Sequence, residues 1–145
     1  IPHRICFRLA DAFFAGFEEA VQDDAQPAPE RLRRAIESHV RVLTQDVAAS
    51  AVFLHEWRHL SEPARTEFLQ LRERYEAGFR QLISHGAATG TLRAPDPAFA
   101  ALTLLASLNW LPTWYRPDGK LTPEDIAHRL SEQLLLGLEV GKFKS

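Results

Sequence analysis

The chain has 145 residues, the length of one domain, with 46% apolar and 25% charged residues and a net charge of -2. The absence of an apolar run of about 18 residues argues against a membrane-spanning helix, and the lack of a basic excess argues against DNA binding by these residues themselves. The single cysteine, Cys6, excludes an internal disulfide and is typical of a reducing compartment, so we expect a cytoplasmic protein.

The first predicted helix covers residues 1–22. Apolar residues recur every four positions there, and this spacing is typical of an amphipathic helix that buries one face: Ile5, Leu9, Phe13, Phe17 and Val21. The stretch QDDAQPAP at 22–29 interrupts the pattern, and Pro29 suits the first turn of a following helix.

The second predicted helix runs to about Leu60, with a bend plausible within AASA at 48–51. Its apolar positions again follow helical spacing: Leu32, Ile36, Val40, Leu43, Val47, Ala51 and Leu54. Ser61 as N-cap and Pro63 in the first turn then predict the start of a third helix.

The third helix has its apolar residues at Phe68, Leu71, Tyr75, Phe79 and Leu82, and it is expected to end where Gly86 or Gly90 takes a left-handed conformation. Asp96 as N-cap and Pro97 in the first position predict a fourth helix over 97–111. That segment is apolar on nearly every side, which predicts burial all round.

The last predicted helix follows a tight turn at Pro117-Asp118-Gly119 and begins with Thr122, Pro123 and Asp125. Its apolar positions are Ile126, Leu130, Leu134 and Leu138. No segment shows the alternation of a strand. The sequence therefore predicts an all-α fold of five to six helices in one domain, residues 1–145.

FLHEWRHLSEP at 53–63 contains the pattern H-E-x-x-H, formed by His55, Glu56 and His59. On a helix this spacing places two imidazoles on one face to bind zinc, with the glutamate as general base. A third protein ligand is missing, because Arg65 stands where one extended pattern has histidine and Phe79 where another has glutamate. We therefore predict no metal site, and a helical metal-dependent hydrolase remains the alternative.

Aromatic residues cluster at the ends of the predicted helices. Phe53 and Trp57 end the second, while Trp110 and Trp114 flank Pro112 and have the amide of Asn109 beside them. Apolar walls with a few polar groups are typical of a small-molecule pocket. The candidate ligand-binding residues, placed between the second, third and fourth helices, are Phe53, Trp57, Tyr75, Phe79, Asn109, Trp110 and Trp114; for Phe79 a place in the core is the favoured alternative.

Several stretches together resemble the C-terminal domain of TetR-family transcriptional repressors, in the branch that controls fatty-acid, aromatic-acid and steroid catabolism. These are the EWR element at 56–58, the R-x-x-Y pattern of the third helix, the AATGTLR connector and LNWLPTWYRPDGKLT at 108–122. The resemblance is good over residues 50–139 and looser over 9–49.

The resemblance implies a non-enzymatic regulator that needs no cofactor and whose effector is an acyl-CoA thioester or a related carboxylic-acid metabolite. Arg58, Arg72 and Arg116 could then hold the CoA phosphates, and Asn109 could bond the thioester carbonyl or a water. Residues 1–22 resemble the linker helix that follows the family's DNA-binding domain. We expect DNA contact only through such an N-terminal domain, which these residues do not contain.

The fourth and fifth predicted helices carry more apolar surface than five helices need. Residues 97–139 are therefore predicted to pair with a second copy as a four-helix bundle, forming a homodimer. The candidate interface residues are Ala100, Leu104, Ser107, Leu111, Leu130 and Leu134, with a place in the chain's own core as the alternative for each. A dimerisation module that no longer serves DNA binding is a further functional alternative.

Overall fold

A computed structural model of the chain describes residues 2–136; residue 1 and residues 137–145, including the end of the predicted 97–139 segment, lie outside the described part. The helices are α1 (Pro2–Val21), α2 (Ala28–Gln45), α3 (Val47–His55), α4 (Ala64–Ala88), α5 (Pro97–Asn109), α6 (Leu111–Trp114) and α7 (Pro123–Leu136), with a 3-10 turn at Trp57–His59. Because residues 2–136 contain no strand, the all-α prediction is confirmed. Within residues 2–136, no helix combines the length and the hydropathy that a membrane-spanning segment requires.

Helix α2 lies at the centre of the fold, in contact with α1, α4 and α7. Its apolar stripe includes Ile36 and Leu43, both with no exposed surface, and it packs against Leu9 and Phe13 of α1. This burial follows from the helical spacing of the apolar residues, which places them on one side of each helix.

The second predicted helix is two helices, and the break lies at Asp46 rather than within AASA. Asp46 has an extended backbone, and its carboxylate accepts a 3.0 Å hydrogen bond from the N–H of Ala49, so it ends α2 and caps α3. Ser50 Oγ donates to the carbonyl oxygen of Leu43 at 3.1 Å, which bonds the two helices across the break. Helix α3 then ends at His55, five residues before the predicted end.

The predicted role of Ser61 as an N-cap side chain is wrong. Helix α4 begins at Ala64, and the carboxylate of Glu62 accepts bonds from the Thr66 N–H at 3.2 Å and the Thr66 hydroxyl at 2.6 Å. At the other end of α4 Gly90 has a φ of 79°, as the glycine prediction required.

The predicted starts of the last two long helices are confirmed. Asp96 accepts from the Phe99 N–H at 3.1 Å and caps α5. Thr122 and Asp125 bond each other's backbone N–H, at 3.1 and 3.2 Å, as a reciprocal capping pair before α7.

The expectation that the fourth helix is buried on all sides is wrong for the single chain. Leu108 of α5 has no exposed surface, whereas Phe99 is 66% and Leu102 is 54% exposed. The helix therefore presents one side to the core and an apolar side outward.

Candidate functional site

A cavity of about 430 Å³ lies among helices α1 to α5. Its walls are mostly apolar and aromatic, with Phe13 and Phe14 from α1, Phe53 from α3 and Leu105 from α5. The size and the composition of the walls are those of a site for a small organic ligand.

Three polar side chains in the cavity wall are bonded to one another across three helices. His39 of α2 lies between Tyr75 of α4 and Asn109 of α5, with its Nδ1 2.9 Å from the tyrosine hydroxyl and its Nε2 2.8 Å from the asparagine Oδ1. All three residues line the cavity.

The bonding pattern determines where the protons of this trio are. An amide oxygen can only accept, so Nε2–H of His39 donates to Asn109 Oδ1; the neutral ring then accepts at Nδ1 from the Tyr75 hydroxyl. Burial lowers the pKa of His39 from 6.5 to about 4, against the smaller opposing effect of the Asn109 bond. Burial also raises the pKa of Tyr75. Both side chains are therefore neutral near pH 7.

The trio is surrounded by aromatic rings that hold the imidazole in place. The Phe13 ring stacks on His39 with centroids 4.6 Å apart, and the Phe79 ring meets it edge-on at 6.5 Å. A polar and uncharged trio thus lies in a cavity wall that is mostly apolar and aromatic.

Two arginines approach the outer part of the cavity at Trp57. The guanidinium carbons of Arg72 and Arg58 lie 4.9 and 5.4 Å from the centroid of the indole ring, and the Trp57 ring stacks on that of Phe68 at 6.4 Å. Trp57 and Arg72 line the cavity, and the arginine is exposed to solvent. Positive charge therefore lies beside one edge of the cavity, whose wall also includes the carboxylates of Glu73 and Glu76.

The structure brings together four of the seven predicted ligand-binding residues, Phe53, Trp57, Tyr75 and Asn109, in the cavity wall. The other three lie elsewhere. Phe79 has no exposed surface and packs in the core behind the wall, while Trp110 and Trp114 are 63% and 43% exposed and do not line the cavity.

Of the three predicted arginines only Arg72 lines the cavity. Arg58 reaches its edge through Trp57, and Arg116 is exposed and outside the wall. Trp110, Trp114 and Arg116 all lie at or beyond the end of α5, where the chain turns into the short helix α6, and none of the three lines the cavity.

Sequence reasoning missed His39 and the α1 residues Phe13 and Phe14. A pattern that could have found the histidine was present, because His39 stands three residues after Ile36 and four before Leu43, on the buried face of α2. A histidine on such a face requires hydrogen-bond partners.

The predicted dimer residues fall into two groups. Leu104 and Leu111 pack in the chain's own core, 5% and 0% exposed, so a second copy could gain little contact from them. The other four keep partial exposure: Ala100, Ser107, Leu130 and Leu134.

The H-E-x-x-H stretch does not have the geometry of a metal site. His55 is the last residue of α3, whereas His59 ends the 3-10 turn, so the two do not share one face of a single helix. His59 lies 3.9 Å from Glu56 as an exposed pair. Within residues 2–136 no group of three metal-binding side chains occurs, and the hydrolase alternative is not favoured.

Comparison with known families gives a match over residues 25–138 to the tetracyclin repressor-like C-terminal domain. No curated protein matches significantly.

Several solved structures share the fold. PfmR, a TetR-family transcriptional regulator from Thermus thermophilus, is 29% identical with a TM-score of 0.88 over 96% of this chain and 75% of that chain. AibR, solved in complex with isovaleryl coenzyme A and operator DNA, is 26% identical with a TM-score of 0.81 over 92% of this chain and 72% of that chain. The ketosteroid transcriptional regulator KstR2 of Mycobacterium tuberculosis is 18% identical with a TM-score of 0.86, over 94% and 70%, and shows the same fold.

Proposed function

The chain belongs to the TetR family of transcriptional regulators, which are not enzymes, and on that premise we propose that it is the effector-binding and dimerisation part of a repressor whose effector is an acyl-CoA or a related metabolite. The observation that carries the proposal is the cavity among α1 to α5, with its aromatic walls and neutral polar trio. The likeness to AibR, whose structure contains isovaleryl coenzyme A, supports the acyl-CoA class.

The cavity suits the acyl part of such a ligand rather than the whole molecule. Phe13, Phe14 and Phe53 offer apolar faces to an acyl chain, and each methylene that leaves water there contributes about 0.8 kcal/mol. The nucleotide part, which is highly charged, would remain at the edge, where Arg72 and Arg58 could form charge-assisted bonds to phosphate.

Ligand binding in the cavity would affect the contact between the two copies through α5. Leu102 and Ala106 of α5 belong to the cavity wall and are exposed, and Phe99 and Trp110 are exposed outside that wall. These four residues together are the outer side of α5. We propose that this outer side, with the exposed residues of α7, contacts a second copy. A ligand that binds one arrangement of the dimer better would favour that arrangement and change the spacing of attached DNA-binding domains.

Tryptophan fluorescence tests the ligand class. Trp57 lines the cavity, whereas Trp110 and Trp114 do not, so titration with a series of acyl-CoAs of increasing chain length should change the emission of Trp57. Each added methylene should tighten binding about four-fold until the cavity is full, since 0.8 kcal/mol corresponds to that factor.

The matched controls are two variants. Trp57→Phe should remove the emission change, and Trp110→Phe combined with Trp114→Phe should keep it. If no acyl-CoA in the series changes the emission and calorimetry detects no binding either, the acyl-CoA proposal is wrong. A stoichiometric response to zinc in its place would favour the hydrolase alternative.

A further inference from the structure

Asn109 has an unused hydrogen-bond donor in the cavity wall. Its Oδ1 accepts from His39 Nε2–H at 2.8 Å, and its amide N–H groups bond to no other side chain or backbone group within residues 2–136. An amide in a largely apolar wall is stabilised when a ligand supplies the missing acceptor.

The orientation of the Asn109 amide is set by its bond to His39, whose other ring nitrogen bonds Tyr75. An asparagine amide can rotate by half a turn and exchange its oxygen for its nitrogen at one position. Here Asn109 Oδ1 lies 2.8 Å from His39 Nε2, so the imidazole proton is on Nε2, and Nδ1 accepts from the Tyr75 hydroxyl. The Tyr75 bond occupies Nδ1 and so favours the tautomer that bonds the Asn109 oxygen. With its oxygen bonded to His39, Asn109 keeps its amide nitrogen free as a donor in a residue of the cavity wall.

The rotation of the imidazole is restrained as well. The Phe13 ring stacks on one face of His39 at 4.6 Å and the Phe79 ring meets it at 6.5 Å, and His39 is 3% exposed. Arg72, Glu73 and Glu76 line the cavity without a bond to the trio. No protein charge bonded to the trio therefore competes for its protons.

We propose that His39 and Tyr75 act as positioning residues that fix Asn109 as a donor, and that Asn109 makes the cavity select ligands with a carbonyl oxygen at that depth over ligands of the same shape without it. The inference rests on the proposed acyl-CoA function and adds the chemical group of the ligand that the protein recognises, its carbonyl oxygen. The thioester carbonyl is the only acceptor oxygen close to the acyl chain of a simple acyl-CoA. The apolar walls would then select the length of the acyl chain, and Asn109 would distinguish a carbonyl from a methylene at its first carbon.

The test compares two ligands that differ only in this oxygen. Isovaleryl-CoA carries the carbonyl, and the thioether S-isopentyl-CoA has the same carbon skeleton with a methylene in its place. Wild-type protein should bind the thioester about 10-fold more tightly by calorimetry, the effect of one hydrogen bond to an amide in the cavity wall. If another acyl-CoA of the series binds more tightly than isovaleryl-CoA, the thioester and the thioether are prepared with that acyl chain instead.

Variants separate selection from packing, because the measured quantity is the affinity ratio of the two ligands within each variant. Asn109→Leu keeps the volume but removes the donor, and the ratio should fall to about one. Tyr75→Phe removes only the hydroxyl that places the imidazole proton, and the ratio should fall several-fold. Phe53→Leu shortens an apolar wall and should weaken both ligands with the ratio unchanged.

The outcomes are distinguishable. A ratio near one in the wild type overturns this inference and leaves the acyl-CoA function standing. An unchanged ratio in Tyr75→Phe, with loss in Asn109→Leu, overturns the positioning role. Absence of binding by every acyl-CoA overturns the proposed function, and this inference with it.

Discussion

At the scale of single residues, His39 is a titratable side chain held in a buried and largely aromatic environment. It is 3% exposed, stacked on Phe13 and bonded on both ring nitrogens, so its neutral form is favoured. Such a residue makes the free energy of unfolding depend on pH.

We expect the protein to lose stability as the pH falls from about 6.5 toward 4. Burial lowers the pKa of His39 to about 4 in the folded chain, while in the unfolded chain it stays near 6.5. Between these values the unfolded state binds more protons, so acid favours unfolding, and the full contribution of His39 is present only above pH 6.5. The free energy of unfolding, measured with urea, should fall by about 2 kcal/mol between pH 8 and pH 5.

His39→Gln is the matched control, because it keeps a polar side chain but cannot titrate. Its unfolding free energy should be lower at pH 8 and should change little between pH 8 and pH 5. An equal slope in wild type and variant would show that other groups carry the dependence.

At the scale of the elements, the contact of α1 with α2 depends on a glycine. A Cβ added at Gly16 would meet the Oγ of Ser38 too closely and its Cβ at 3.3 Å. Ser38 is 5% exposed and has little room to move. With serine at position 38, a methyl group at position 16 therefore requires the Ser38 side chain or the two helices to shift.

Gly16→Ala should therefore destabilise the protein. Alanine gains about 1 kcal/mol in helix propensity over glycine, but forcing extra volume into a packed contact costs about 1–3 kcal/mol. We expect a net loss of about 1 kcal/mol in thermal or urea unfolding. In a Ser38→Ala background the same change should be neutral or stabilising, and a loss of equal size there would exclude this contact as the cause.

At the scale of the whole molecule, the exposed apolar surface of α5 would be stabilised by a partner that covers it. Phe99, Leu102 and Trp110 are each more than half exposed, and Trp114 of α6 is 43% exposed. A group of exposed large apolar residues in one region is typical of an interaction surface. The proposed occupant is a second copy of the chain, as is typical of the family.

Sedimentation equilibrium should accordingly give about twice the chain mass of 16.4 kDa. Leu102→Glu should shift the protein toward monomer, because an unpaired charge inside an apolar interface is costly. Leu69→Glu, at an exposed apolar position of α4, is the control that should remain dimeric. A wild type that sediments as a monomer would contradict the dimer.

Local sequence determined the helical elements and several of their ends. The stripe of α1, the caps at Asp96 and Thr122 and the left-handed Gly90 could be predicted because each depends on residues within a few positions of one another. The cap at Asp46 belongs to the same class, and the pattern was present but missed. Four cavity residues were predicted from their place at helix ends or on the third helix.

Only the tertiary structure decided which side chains contact one another. His39, Tyr75 and Asn109 are 36 and 70 positions apart along the chain, so no local period relates them. Trp57 and Trp110 both stand at the end of a predicted helix, yet Trp57 lines the cavity and Trp110 is exposed outside it. The same limit applies to Leu104 and Leu102, two apolar residues on one helix. Whether a side chain is covered depends on which helix packs beside it, and that is set by the arrangement of the whole chain.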